Sequence, residues 1–284
     1  MNSNTEIKTM VREKYTAIAN QPRQANASSC CGATSSTIDA CCSIMADDYA
    51  HLEGYNPEAD LGLGCGLPTQ YAKISAGDTV IDLGSGAGND AFVARKLTGE
   101  NGKVIGIDFT EAMVMLAKKN TIKLGFSNVE FRQGDIEDLP VLSNYADVIV
   151  SNCVLNLVPN KHKVFSEIFR VLKPGAHFSI SDIVLEGDLP SKWKEVAELY
   201  AGCVSGAIQK EEYLSLIKEA GFSNIRLQKN KPIGVPDEIL AEYFTADEIT
   251  NFKNSNTKIT SITVYGEKPA KDSRNCCEPG SSCC

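Results

Sequence analysis

Between Val80 and Asp90 the chain reads VIDLGSGAGND, an apolar run that breaks into a D-x-G-x-G-x-G turn through Asp82, Gly84, Gly86 and Gly88. Such glycines let backbone approach a ligand closely, and Asp82 can hold an ammonium group or anchor the loop. The spacing departs from the G-x-G-x-x-G of dinucleotide sites and points to S-adenosylmethionine as the ligand. Asp108 ends the next strand, IGID, about twenty residues on, where a carboxylate can accept both ribose hydroxyls. In QGDIEDLP, Asp135 can take an adenine amino group while Ile136 packs on the ring, and Asn152 closes the pocket at a fourth strand. Ser85, Phe109 and Met113 complete the candidate donor-binding set.

A second group of residues is soft. Cys65 in LGLGCGLP, Cys153 in SNCVLNLVP and Cys203 in YAGCVSGA border the same expected crevice, in a chain with 11 cysteines. A single buried cysteine is ordinarily a small hydrophobe. Here, however, Cys65 and Cys203 lie among glycines rather than in apolar stripes, and Cys153 falls at a strand end. Thiolates suit soft metal or metalloid centres, so a trivalent thiophilic element is the natural guest. Zinc fits poorly, because the chain has no C-x-x-C knuckle, only adjacent pairs at Cys30-Cys31, Cys41-Cys42, Cys276-Cys277 and Cys283-Cys284. His51, His162 and His177 stand singly and are assigned no chemistry.

The elements that must position these groups alternate. Strands are predicted at Thr79 to Leu83, Lys103 to Ile107, Asn128 to Arg132, Ala146 to Ser151 and Ala176 to about Val184. Helices are predicted between them at Asn89 to Leu97, Glu111 to Leu124 and Lys161 to Leu172. This alternation specifies an α/β fold with five parallel strands and crossover helices on both faces. Apolar spacing predicts an amphipathic helix over Ile7 to Ile18, helices over Trp193 to Cys203 and Lys210 to Ala220, and strands over Asn224 to Gln228 and Lys258 to Tyr265 that could close the sheet as a hairpin. Four parts are expected: 1–43, a helix and a flexible cysteine-containing segment; 44–185, the donor-binding domain; 186–266, a helical and strand elaboration that binds the substrate; and 267–284, a disordered cysteine-rich tail.

Composition narrows the partners. With 28 basic and 36 acidic residues and a net charge of -8, the chain lacks the basic footprint of nucleic-acid binding. It has no long apolar span and no apolar leader, so a cytoplasmic protein without membrane contact is expected.

Through DLGSGAG, IGID, QGDIEDLP and RVLKPG, the stretch from about Thr79 to Val184 resembles the class I S-adenosylmethionine-dependent methyltransferases, with their Rossmann-like sheet. With LGLGCGLP, SNCVLNLVP, the Cys203 segment and the upstream SCCG, the chain to about Gly266 resembles arsenite methyltransferases. The resemblance implies that Cys65, Cys153 and Cys203 are arsenic-binding and redox cysteines, with an upstream cysteine as the fourth. Cys30 or Cys31 matches the family's motif, while Cys41-Cys42 lies nearer the spacing of some relatives. It further implies arsenite and methylarsenite as substrates, a thioredoxin- or glutathione-type thiol reductant, and a monomer.

Overall fold

The computed structural model describes residues 4–21, 47–187, 206–234, 240–241 and 244–270. Its strands are β1 (Thr79–Leu83), β2 (Lys103–Asp108), β3 (Val129–Gln133), β4 (Ala146–Asn152), β5 (Leu172–Glu186), β6 (Ser223–Ile233) and β7 (Lys258–Glu267). The helices are α1 (Asn4–Ala19), α2 (Pro68–Tyr71), α3 (Asn89–Thr98), α4 (Glu111–Leu124), α5 (Lys161–Val171), α6 (Lys210–Glu219) and α7 (Ala246–Lys253). The strands form one sheet in the order β3-β2-β1-β4-β5-β7-β6. From β3 to β5 every pairing is parallel, and β7 runs antiparallel between β5 and β6. Chain order reverses between β1 and β4, which is where an open parallel sheet leaves a crevice beyond its carboxyl ends.

The central strands read as continuous apolar runs because both of their faces are covered. Ile81, Ile105 and Ile149 enter a cluster with Phe165, Phe178 and Tyr213. Their immediate neighbours Val80, Val104 and Val148 enter a separate cluster with Phe92 and Phe131. The two-residue alternation of strand side chains thus feeds two cores from one sheet. Helix ends follow local chemistry: the Asn160 side chain accepts the Lys163 N–H at 3.0 Å to start α5, and Gly125 ends α4 in the left-handed region.

The predicted strands and helices at 79–171 agree with the structure to within about two residues. The strand expected from Ala176 starts earlier, at Leu172, which pairs with Ala146 ahead of a register shift, and runs on to Glu186 because β7 pairs along it as far as Lys258. The two late strands do join the sheet as an antiparallel pair, with α7 between them. α2, α7 and a 3-10 turn at Leu155–Leu157 went unpredicted. The segment expected at 20–43 (apart from its first two residues), the whole of the helix expected over Trp193 to Cys203, and the tail beyond 270 lie outside the described residues.

Candidate functional site

The glycine turn after β1 opens into a cleft of about 1070 Å³, the open solvent at its mouth included. Asp82, Gly84, Ser85, Gly86, Asp108, Phe109, Asp135, Ile136, Asn152 and Cys153 all line it. Gly88 and Met113 do not; Met113 is buried within α4. Asp108 accepts the backbone N–H groups of Gly86 at 2.9 Å and Thr110 at 2.8 Å, so it braces the turn while keeping acceptor capacity. Asp135 is engaged otherwise than expected. Lys8 of α1 donates to it and to Glu137, each at 2.6 Å, and α1 also brings Val11 and Tyr15 to the cleft wall. Arg12, one turn on, lies 4.4 Å over the Phe109 ring.

The residues present fit a polar ligand. Asp82 Oδ2, Ser85 Oγ and Asn89 Oδ1 are buried without a hydrogen-bond partner, and all three side chains belong to the cleft lining. Buried polar atoms rarely stay unpaired, because each costs about 1–3 kcal/mol, so three in one cleft mark where a ligand's donors belong. A Cβ at Gly86 would meet nothing within 4 Å, which leaves the turn open to a bound molecule. Burial, reinforced by the charges of Asp90 and Asp108, holds the Asp82 carboxyl well above the usual carboxylate range.

Cys65 and Cys153 are both buried and share one apolar cluster with Ile183, Leu185, Phe244 and Ile259. Cys153 also lines the donor cleft, so this residue joins the two regions. It has φ +60°, an uncommon backbone conformation for a non-glycine residue, and its N–H is fixed to Ser181 O at 2.8 Å. Two glycines explain how Cys65 comes so close. A Cβ at Gly64 would stand 2.7 Å from Asn152 Nδ2, and one at Gly66 would stand 2.5 Å from Ser181 Oγ. The GCG run therefore lets this loop lie directly on the end of β4 and the middle of β5, where Asn152 Oδ1 accepts the Cys65 N–H at 3.0 Å and Ser261 Oγ of β7 donates to Cys65 O at 2.6 Å. Cys203, Cys30 and Cys31 lie outside the described residues. Among the described residues no cluster of three or more His, Cys, Asp or Glu side chains could hold a metal ion.

Sequence reasoning missed Tyr49 and Asp90. Asp90 Oδ2 accepts from Tyr49 Oη at 2.8 Å and Asn152 Nδ2 at 3.1 Å, and its Oδ1 accepts from Thr69 Oγ1 at 3.3 Å. The available signal was position: an acidic residue in the first turn of the helix that leaves a ligand-binding glycine loop.

The profile of the methyltransferase domain family matches residues 74–221. The chain is 35% identical over 279 residues to an arsenite methyltransferase of Halobacterium salinarum, covering 94% of this chain and 68% of that one. It is 39% identical over 186 residues to an arsenite methyltransferase of Aquipseudomonas alcaligenes, covering 63% of this chain and 53% of that one, so it spans about half of that relative's length. Among solved structures, CrArsM, an arsenic(III) S-adenosylmethionine methyltransferase from Chlamydomonas reinhardtii, superposes with a TM-score of 0.61 at 31% identity, covering 82% of this chain and 74% of that one.

Proposed function

Because the chain belongs to the arsenite methyltransferases, within the methyltransferase-domain family, we propose that it moves the methyl group of S-adenosylmethionine to trivalent arsenic held by its own thiolates. S-adenosylmethionine supplies an electrophilic sulfonium methyl; this chain's residues bind, orient and dehydrate the reactants. Asp108 and the glycine turn receive the ribose end, Phe109 and Ile136 the adenine, and Asp82 the ammonium. Cys153 and Cys203 hold As(III), with Cys65 as third ligand or resolving thiol. The observation that supports this most is the position of Cys153, shared between the donor cleft and the Cys65 cluster.

The arsenic lone pair is the nucleophile, and no proton leaves arsenic, so the site needs no general base. Catalysis then rests on orientation and exclusion of water, which can contribute on the order of 7–11 kcal/mol. Methyl transfer formally oxidises arsenic, and two electrons from thiols closing to a disulfide return it to As(III). A thiol reductant, one dithiol of the thioredoxin type or two monothiols of the glutathione type, resets the enzyme by reducing that disulfide, which suits a reducing, cytoplasmic setting; the chain is taken as a monomer. An upstream cysteine, Cys30 or Cys31, serves as the further redox thiol. No helix among the described residues is long and apolar enough to cross a membrane.

The test is incubation of the protein with S-adenosylmethionine, arsenite and a thiol reductant, with the arsenic species separated and identified. Cys153→Ser should lower methylated arsenic by roughly a hundredfold or more while donor binding persists. Full activity in that variant would refute the ligand assignment. Binding of both substrates without any methylated product would instead favour sequestration of arsenic.

A further inference from the structure

Asp90 stands where the donor cleft meets the cysteine pair. It is 8% exposed, lies in the first turn of α3 and lines the cleft. Its hydrogen-bond partners Tyr49, Thr69 and Asn152 are all neutral. Asn152 in turn accepts the Cys65 N–H and directly precedes Cys153. Lys8 is the one lysine or arginine among the described lining residues, and Asp135 and Glu137 engage it on the α1 side. Near Asp90 the described residues therefore supply hydrogen bonds but no countercharge. Asp82, whose Oδ2 is buried without a partner, adds a second acidic group to the same wall.

A buried carboxylate given dipoles but no cation favours a ligand that brings positive charge. The methyl donor carries a sulfonium, whereas the product left after transfer is a neutral thioether. We propose that Asp90 is a specificity-determining residue for the methyl donor, its negative charge favouring the sulfonium form over the thioether product at the junction of cleft and cysteines. The inference deepens the transfer reading given above. As the arsenic lone pair forms the As–C bond, the S–C electron pair stays on sulfur and the positive charge passes to arsenic. Asp90 lines the donor cleft and reaches the Cys65 loop through Asn152, so one group favours capture of the charged donor and release of the neutral product.

The experiment measures equilibrium binding of three probes to the full chain without arsenic: S-adenosylmethionine, its demethylated thioether product, and the analogue bearing a protonated amine in place of the sulfonium methyl. Asp90→Asn should weaken the two cationic probes by about tenfold relative to the thioether. Tyr49→Phe keeps the charge and should leave the donor-to-product ratio within about twofold even if all three probes weaken together. Equal loss for all three probes in Asp90→Asn, or no loss, would overturn the proposal.

A measurement on the unsubstituted protein guards against a variant that fails to fold. Burial lifts the Asp90 carboxyl to about 6, against hydrogen bonds that lower it and with Asp60 pushing it further up. Of the other groups facing it, Tyr49 and Asp82 are held well above their ordinary values by burial. The donor-to-product ratio should therefore fall as pH drops through about 6, and a ratio flat across that range would also overturn the proposal. Because arsenic is absent throughout, failure here leaves arsenic methylation untouched, and loss of methylation in Cys153→Ser leaves this ratio untouched.

Discussion

Asp182 has exchanged almost all of its water for a single phenol. It is fully buried, its Oδ2 accepts from Tyr213 Oη at 3.1 Å, and its Oδ1 lacks a hydrogen bond of ordinary geometry, with backbone groups of Ile183 and Leu155 giving only partial relief. Burial pushes its carboxyl from 3.8 to about 7, against the lowering effect of Lys161. The folded state therefore holds this proton more tightly than the unfolded chain does. Stability from this group is present below about pH 4 and is lost as pH rises towards 7, by on the order of 4 kcal/mol at most. Asp182→Asn should flatten the fall in unfolding free energy between about pH 4 and 8, measured by denaturant titration at each pH; an unchanged slope would assign that loss to other groups, Asp90 among them. At this scale the sequence reveals residues whose role is local to a motif, such as Asp82 beside its glycines. Asp90, Tyr49 and Asp182 act through partners 21 to 103 positions away or on other elements, and no spacing in the chain records those contacts.

α1 is attached to the cleft by Lys8, Arg12 and the ring of Tyr15 rather than by a deep apolar face, with Ile18 its one buried residue. A partly exposed ion pair contributes only about 0–1 kcal/mol. Lys8→Ala should therefore weaken donor and thioether product alike, by about fivefold or less, because both share the adenosine end that α1 covers. An effect confined to the donor would place Lys8 in the charge selection assigned to Asp90. Elements with a full apolar period were legible: α4 was predicted to the residue, as was β1. α2 has four residues and α7 eight, too few turns for a stripe to stand out, although the Thr245–Glu248 capping box marks the start of α7. The length of β5 was hidden for a different reason, since its last residues are strand only because β7 lies beside them.

Across the whole molecule the donor cleft and the cysteine pair draw on one sheet, so ligand binding should report on global stability. Donor at about one hundred times its dissociation constant should raise unfolding free energy by about 2.7 kcal/mol, a midpoint shift on the order of 5–10 °C by thermal scan. No shift would mean that the cleft does not bind the donor. The α/β class, the parallel half of the sheet and the donor motifs were legible because each strand, turn and helix is written contiguously. Cys65 and Cys153 were legible from their motifs, but the apolar cluster that holds them was not, since Cys65, Cys153, Ile183 and Ile259 converge from four stretches of chain. The strand order has a temporal consequence. β7 is an interior strand, yet it is the last of the seven to be synthesised. Until it emerges, β6 has no neighbour, β5 presents a bare edge, and the floor that Ile259 and Ser261 give the Cys65 loop is missing. A nascent chain can thus assemble its nucleoside-binding half early, while the half proposed to hold the thiophile comes into being only once β7 has been made.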